Sequence, residues 1–147
     1  YDDIIIDAGG RDSPSLRAAL SIAHQAVIPF KPKSFDMWTL TAVKSLISEA
    51  KGFNPNLIVI AVINQSDAKG TDNDDAFEMI RDSSDFLCVP TPIGNRKAFG
   101  HAAADGLGVV ELKKIDFKAI DEIKNLYRHV YFKNTLQSTS KTHSFYT

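Results

Sequence analysis

The residues best suited to chemistry stand at the very start of the chain, where the run Ile4-Ile5-Ile6 ends in Asp7 and is followed by Ala8, Gly9 and Gly10. A short run of Ile, Val and Leu is how a buried parallel strand reads, and ligands in open α/β sheets gather outside the carboxyl ends of such strands. A carboxylate at that edge can hold Mg²⁺ directly or through a water, while Gly9 and Gly10 let the backbone approach a phosphate or swing when one leaves. The same residues also suit an ordinary strand that stops at a turn. A second polar residue closing an apolar run is Asn64, after Ile58-Val59-Ile60-Ala61-Val62-Ile63. It reads equally as a ligand contact or as the start of a turn. His24, His101, His129 and His143 have no metal-ligand spacing with one another or with cysteine, and no Ser, His and Asp set suggests nucleophilic catalysis.

These residues need a sheet to position them. Strand-like runs recur at Ile4 to Asp7, Gln25 to Phe30, Leu57 to Asn64 and Phe86 to Val89, with helix-length segments between them. Such alternation predicts an α/β fold with a parallel sheet and helices on both faces. Ser13-Pro14-Ser15 supplies an N-cap and an early proline for a helix through Ala23. A second helix is expected from about Phe35 to Ala50, burying Leu40, Val43, Leu46 and Ile47 and ended by Gly52. Gly70 to Asp75 reads as a loop leading to a helix near Asp75 to Arg81. The prolines in Pro90-Thr91-Pro92-Ile93-Gly94-Asn95 predict an irregular loop, followed by a helix from Arg96 to Asp105. Asp116 to Lys133 carries the clearest amphipathic stripe, through Phe117, Ile120, Ile123, Leu126, Tyr127 and Val130.

Composition sets the outer bounds. At 147 residues the chain suits one domain, read as 1–133, with a Ser- and Thr-rich tail over 134–147 that is expected to be mobile. A net charge of −1 excludes a uniformly basic nucleic-acid binder but leaves room for a local patch. The lone cysteine, Cys88, cannot form an internal disulfide and suits a reducing cytoplasm. No apolar stretch approaches the roughly 20 residues of a membrane span, and no signal-peptide layout is seen. Because Tyr1 stands at the edge of an expected strand, the chain reads as a fragment. Trp38 is expected in the core or on a dimer surface.

Four segments in order give a more specific pointer. A strand ending in aspartate leads into a short flexible segment (Ile4 to Ser13); a strand runs into a proline-containing loop (Ala26-Val27-Ile28-Pro29-Phe30-Lys31-Pro32-Lys33); a strand ends in Asn64; and Ile93-Gly94-Asn95-Arg96-Lys97-Ala98-Phe99 precedes Gly106 to Val109. Together they resemble the C-terminal part of the ParA/MinD family of deviant Walker ATPases, closest to the plasmid partition type, over about Tyr1 to Leu112. The family's phosphate-binding loop, K-G-G-x-G-K-[ST], is absent from this sequence. Without its nest of N–H groups and its lysines, the chain by itself is not expected to hydrolyse ATP.

What the resemblance implies is a P-loop NTPase-like domain whose cofactors are ATP and Mg²⁺. Asp7, as the Walker B residue, would organise a Mg²⁺-bound water and act in catalysis, with Ala8 to Arg11, including Gly9 and Gly10, as the switch segment. Asn64 would pair with the adenine edge, and Pro90, Thr91 and Pro92 would wall the adenine pocket. Lys31, Lys33, Arg96 and Lys97, together with Lys113 and Lys114, are the candidates for nonspecific contact with DNA phosphates. The whole protein would be an ATP-dependent homodimer at the bacterial nucleoid, working with a centromere-binding adaptor and without a membrane. A catalytically inactive interaction module and a MinD-like membrane ATPase are the alternatives; acidic residues among the lysines of the 116–133 helix count against the latter. In the family's strand order, the strand bearing the phosphate loop lies between those of Asp7 and Val27. Without it the chain must close a gap of roughly 10 Å, borrow a strand, or be accompanied by its other half.

Overall fold

A computed structural model describes residues 1–9, 12–34, 37–69 and 71–132. Gly10, Arg11 and the tail expected at 134–147 lie outside the described residues. The elements run α1 (Pro14–Ile22), β1 (Gln25–Phe30), α2 (Met37–Phe53), β2 (Ile58–Ser66), α3 (Asp72–Arg81), β3 (Leu87–Cys88), β4 (Ile93–Gly94), α4 (Lys97–Ala104) and α5 (Phe117–Tyr131).

The sheet is parallel, as the alternation of strands and helices predicts, with β2 at its centre between β1 and β3. Gln25 to Phe30 pairs residue for residue with Ile58 to Ile63. β2 is the most apolar strand because both its faces are covered: Val59, Ala61 and Ile63 pack with Leu20, Leu40, Ile47 and Ile80, while Ile60 and Val62 pack with Val89, Ile93 and the inner face of α5. α1, α2 and α3 thus cover one face and α5 the other. A third cluster, Ala102, Val109 and Ala119, joins α4 to α5.

Local chemistry sets the helix limits. Ser13 accepts a hydrogen bond from the Leu16 N–H and Pro14 opens α1, as the sequence predicts. Asp116 caps α5 through the Ala119 N–H. α4 ends at Gly106, whose φ of +67° allows the Leu107 N–H to reach the Ala102 carbonyl. Gly52, expected to end α2, lies inside it. The helix stops at Asn54 instead, because the following Pro55 pushes its neighbour out of helical geometry, and the Asn54 amide donates to the Leu20 and Ala23 carbonyls.

Three further expectations are corrected. The segment Pro90 to Asn95 is not wholly irregular: Ile93 pairs with Asn64 and Gly94 with Ser66, so β3 and β4 flank β2 in turn, with Pro90-Thr91-Pro92 bulging out between them. The stripe of α5 is narrower than read, since Ile123, Leu126 and Val130 pack while Phe117 and Tyr127 stay exposed. Trp38 is exposed, which excludes the core and agrees with the dimer-surface half of its expectation without testing it.

The largest correction falls on Ile4 to Asp7, which forms no strand: Ile4 and Ile5 are 80% and 86% exposed. The reason lies in the ladder. Groups facing a parallel neighbour alternate along a strand, so the bond from the Ile58 N–H to the His24 carbonyl turns Ala26 and Ile28 toward β2 and the backbone of Val27 and Pro29 away from it. Among the described residues no strand pairs with β1 on that second side. An apolar run with no adjacent strand has nothing to ladder with.

Candidate functional site

The carboxyl ends of β1, β2 and β4 meet at one edge of the sheet. Beyond β1, Pro32 is buried and Lys33 reaches across to Asp67, just past β2, at 2.7 Å. Asn64 and Gln65 lie at the tip of β2, where the ladder to β4 shifts register between Asn64 and Ser66. Gln65 has a φ of +56°, in the left-handed region that side chains other than glycine seldom adopt. The Asn64 Oδ1 accepts the Gln65 N–H at 2.9 Å, and the Asn95 N–H donates to the Ser66 carbonyl. A strained residue held by its neighbour's side chain, at the carboxyl edge of a parallel sheet, is where ligand contacts concentrate.

Of the sequence-predicted residues, Asn64 lies at this edge and half-buried Thr91 and Pro92 lie in the bulge beside it, with Pro90 exposed. Asn64 has Oδ1 engaged, which leaves its Nδ2 donors for a ligand. Asp7 is exposed, in a segment without secondary structure, and Gly9 has a φ of +64° in open space. No sheet pairing joins Asp7 to the edge that carries Asn64. Gly10 lies outside the described residues.

The candidate DNA contacts separate into two kinds. Lys31 and Lys97 are exposed. Lys33 is paired with Asp67, which holds its ammonium pKa above the ordinary lysine value. Arg96 is a clamp within the fold: its guanidinium meets the Glu122 carboxylate at 2.6 Å, and the other Glu122 oxygen accepts the Gly94 N–H at 3.0 Å. That hydrogen bond raises the Arg96 pKa further.

Glu122, Gln65 and Asp67 were not singled out in the sequence. Glu122 carried a signal, since it lies on the same face of α5 as Ala119, Ile123 and Leu126, and a carboxylate on an apolar stripe calls for a partner. Nothing in the sequence marks Gln65, whose strain arises from the β2–β4 register.

An ATP–Mg²⁺ site needs more than these residues supply. Among the described residues no group of three or more His, Cys, Asp or Glu side chains converges in a way that could hold a metal ion. Asp7 is a single exposed carboxylate, and the chain has no phosphate-binding loop. The edge at Asn64 is built by the described residues, whereas this sequence contains no phosphate-binding loop.

No family model matches the chain. It is similar to "Maintenance of carboxysome distribution protein A" of Halothiobacillus neapolitanus (strain ATCC 23641 / c2), with 24% identity over 134 residues, covering 88% of this chain. The chain spans 60% of the length of that relative. At this identity the likeness supports a ParA/MinD-like kinship and goes no finer. No described helix is long and apolar enough to cross a membrane.

Proposed function

We propose that this chain is the C-terminal, adenine-side part of a ParA-like positioning ATPase. The observation that carries the reading is the edge at Asn64: a half-buried amide with free donors, beside strained Gln65 and the Pro90-Thr91-Pro92 bulge, at the carboxyl end of a parallel sheet. The likeness to a protein named for carboxysome distribution supports a positioning role. The cargo classes of plasmid and chromosome rest on the sequence resemblance.

In this reading Asn64 would present Nδ2 to the adenine edge, and Asp7 would face the Mg²⁺ and the phosphates, with Gly9 and Gly10 as the moving switch. ATP would supply the free energy that makes the dimer reversible. The Arg96–Glu122 clamp holds β4 and α5 together behind the adenine wall. DNA phosphates would meet Lys31 and Lys97, exposed members of the basic set that take part in none of the ion pairs seen among the described residues. A centromere-binding adaptor, or an equivalent cargo adaptor, would act on the dimer.

The test is ATP turnover, with and without DNA, on the protein extended upstream through any phosphate-binding loop in its reading frame. Hydrolysis stimulated by DNA and lost in Asp7→Ala is expected. No loop upstream, or no turnover with one present, would favour a catalytically inactive interaction module of the same fold.

A further inference from the structure

A cleft of about 910 Å³ opens between α4 and the segment leading into α5. Its wall is apolar where a soluble surface is usually polar: Phe117 is 74% exposed and Ile115 56%, with Leu107 also exposed and Leu112 half-buried beside them. Lysines stand around this wall, namely Lys97, Lys113, Lys114 and Lys118. The ion pairs seen among the described residues involve none of these four. Two carboxylates, Asp105 and Asp116, and His101 also line the cleft, and Asp116 is already engaged as the cap of α5. The cleft is therefore apolar within and net positive around its mouth.

We infer that this cleft is a docking groove for an acidic amphipathic segment of a partner protein, one that lays apolar side chains on Phe117, Ile115 and Leu107 and carries carboxylates to the surrounding lysines. Charge complementarity selects the sign of the partner, and the apolar wall selects its class. Phosphates of a nucleic acid would use the lysines but gain nothing from three exposed apolar side chains. A bilayer surface suits a projecting amphipathic face rather than a concave one with carboxylates in it. A helix laid in a groove uses both features at once, through apolar anchors at i, i+3, i+4 and i+7. The sequence assigned Lys113 and Lys114 to DNA on charge alone; their place beside Phe117 and Ile115 is what turns them toward a peptide. The inference goes beyond the ATPase reading and needs no nucleotide.

The experiment uses the 147-residue chain and a dye-labelled synthetic amphipathic helix of about 15 residues, with leucines on one face and glutamates flanking them, followed by fluorescence anisotropy. Binding in the micromolar range is expected, falling as salt rises. Phe117→Ser and the double change Lys113→Glu with Lys114→Glu should each weaken it by at least about tenfold. A peptide with lysines in place of the glutamates should not bind. Because these side chains are exposed, the variants should keep the parent's circular dichroism; Leu107→Ser provides an independent check on the same wall. Four results would each overturn the proposal: no binding, equal binding of the lysine peptide, binding of duplex DNA or anionic vesicles that is tighter than that of the peptide and is abolished by Lys113→Glu with Lys114→Glu, or self-association that occupies the cleft with a second copy.

Discussion

Glu122 is the side chain on which the most local structure depends. It is held by Arg96 and by the Gly94 N–H, its side chain 13% exposed against 28% for that of Arg96. Removing it would leave a mostly buried guanidinium and a strand N–H without their acceptor, which costs far more than losing a solvated pair. Glu122→Ala is expected to lower unfolding free energy by about 2 to 3 kcal/mol, and Glu122→Gln by roughly half of that, since an amide oxygen can still accept from Gly94. Urea denaturation of the two variants checks this. A loss below about 0.5 kcal/mol for the alanine change would show that the clamp adds little beyond a surface ion pair. Cys88 shows the other effect of burial, since desolvation pushes its thiol pKa up against the pull of Arg81 and keeps the thiol form dominant.

Ion pairs also tie one element to another, and they set how the fold responds to pH. Lys44 of α2 holds Asp85, ahead of β3, at 3.2 Å, and Arg17 of α1 binds Asp12 at 2.7 Å. Burial pushes the Asp85 pKa up, but the hydrogen bonds from Lys44 and Ser83 outweigh it and leave the group below its ordinary value. Asp12 is lowered chiefly by its hydrogen bond to Arg17. Both carboxyls thus bind protons more weakly folded than unfolded. Their contribution is present above the ordinary carboxylate pKa of about 4 and is lost as pH falls through the lower folded values. Lys33 runs the opposite way: raised by Asp67, its contribution is present below the ordinary lysine pKa and lost as pH climbs through the higher folded value. The urea midpoint should therefore be flat from about pH 5 to 9 and fall below about pH 4, modestly, because these pairs are exposed and salt-screened. Asp85→Asn should remove part of the acid loss; a midpoint that moves between pH 5 and 8 would assign the response to other groups. At this scale the sequence was a good guide wherever one short-range signal decides an element. Gln25 to Phe30 was legible from its apolar run, α1 from its cap and early proline, and α5 from its amphipathic stripe. The sequence misled where long-range pairing decides: β4 hides behind two prolines because only its register with Asn64 makes it a strand, and Gly52 reads as a helix end although Asn54 and Pro55 provide it. The candidate site was legible at Asn64, a polar residue closing an apolar run, and silent at Gln65.

The whole molecule is a sheet with one side of β1 unpaired among the described residues and an apolar segment, Ile4 to Ile6, exposed. Sequence alone shows that Ile4 to Asp7 has the composition of a strand; whether it becomes one depends on a neighbour, and composition carries no information about neighbours. An open parallel edge is a template for another strand. β1 is blunted there only in part, because Pro29 offers no N–H while Val27 does. Two consequences separate an incomplete sheet from a closed one. In the 147-residue chain the Val27 amide should exchange with solvent much faster than those of Ala26 and Ile28, which face β2, and the chain should self-associate as its concentration rises. In a protein extended upstream by a strand that fills the gap, Val27 should gain protection, the association should fall, and Ile4 to Asp7 should become protected in the same step, since a strand added to β1 presents its own free side to them. Hydrogen exchange read residue by residue, with sedimentation alongside, decides the matter. Slow exchange at Val27 in a strictly monomeric 147-residue chain would mean that the edge is already closed, and the reading of this sheet as one part of a larger one would have to be given up.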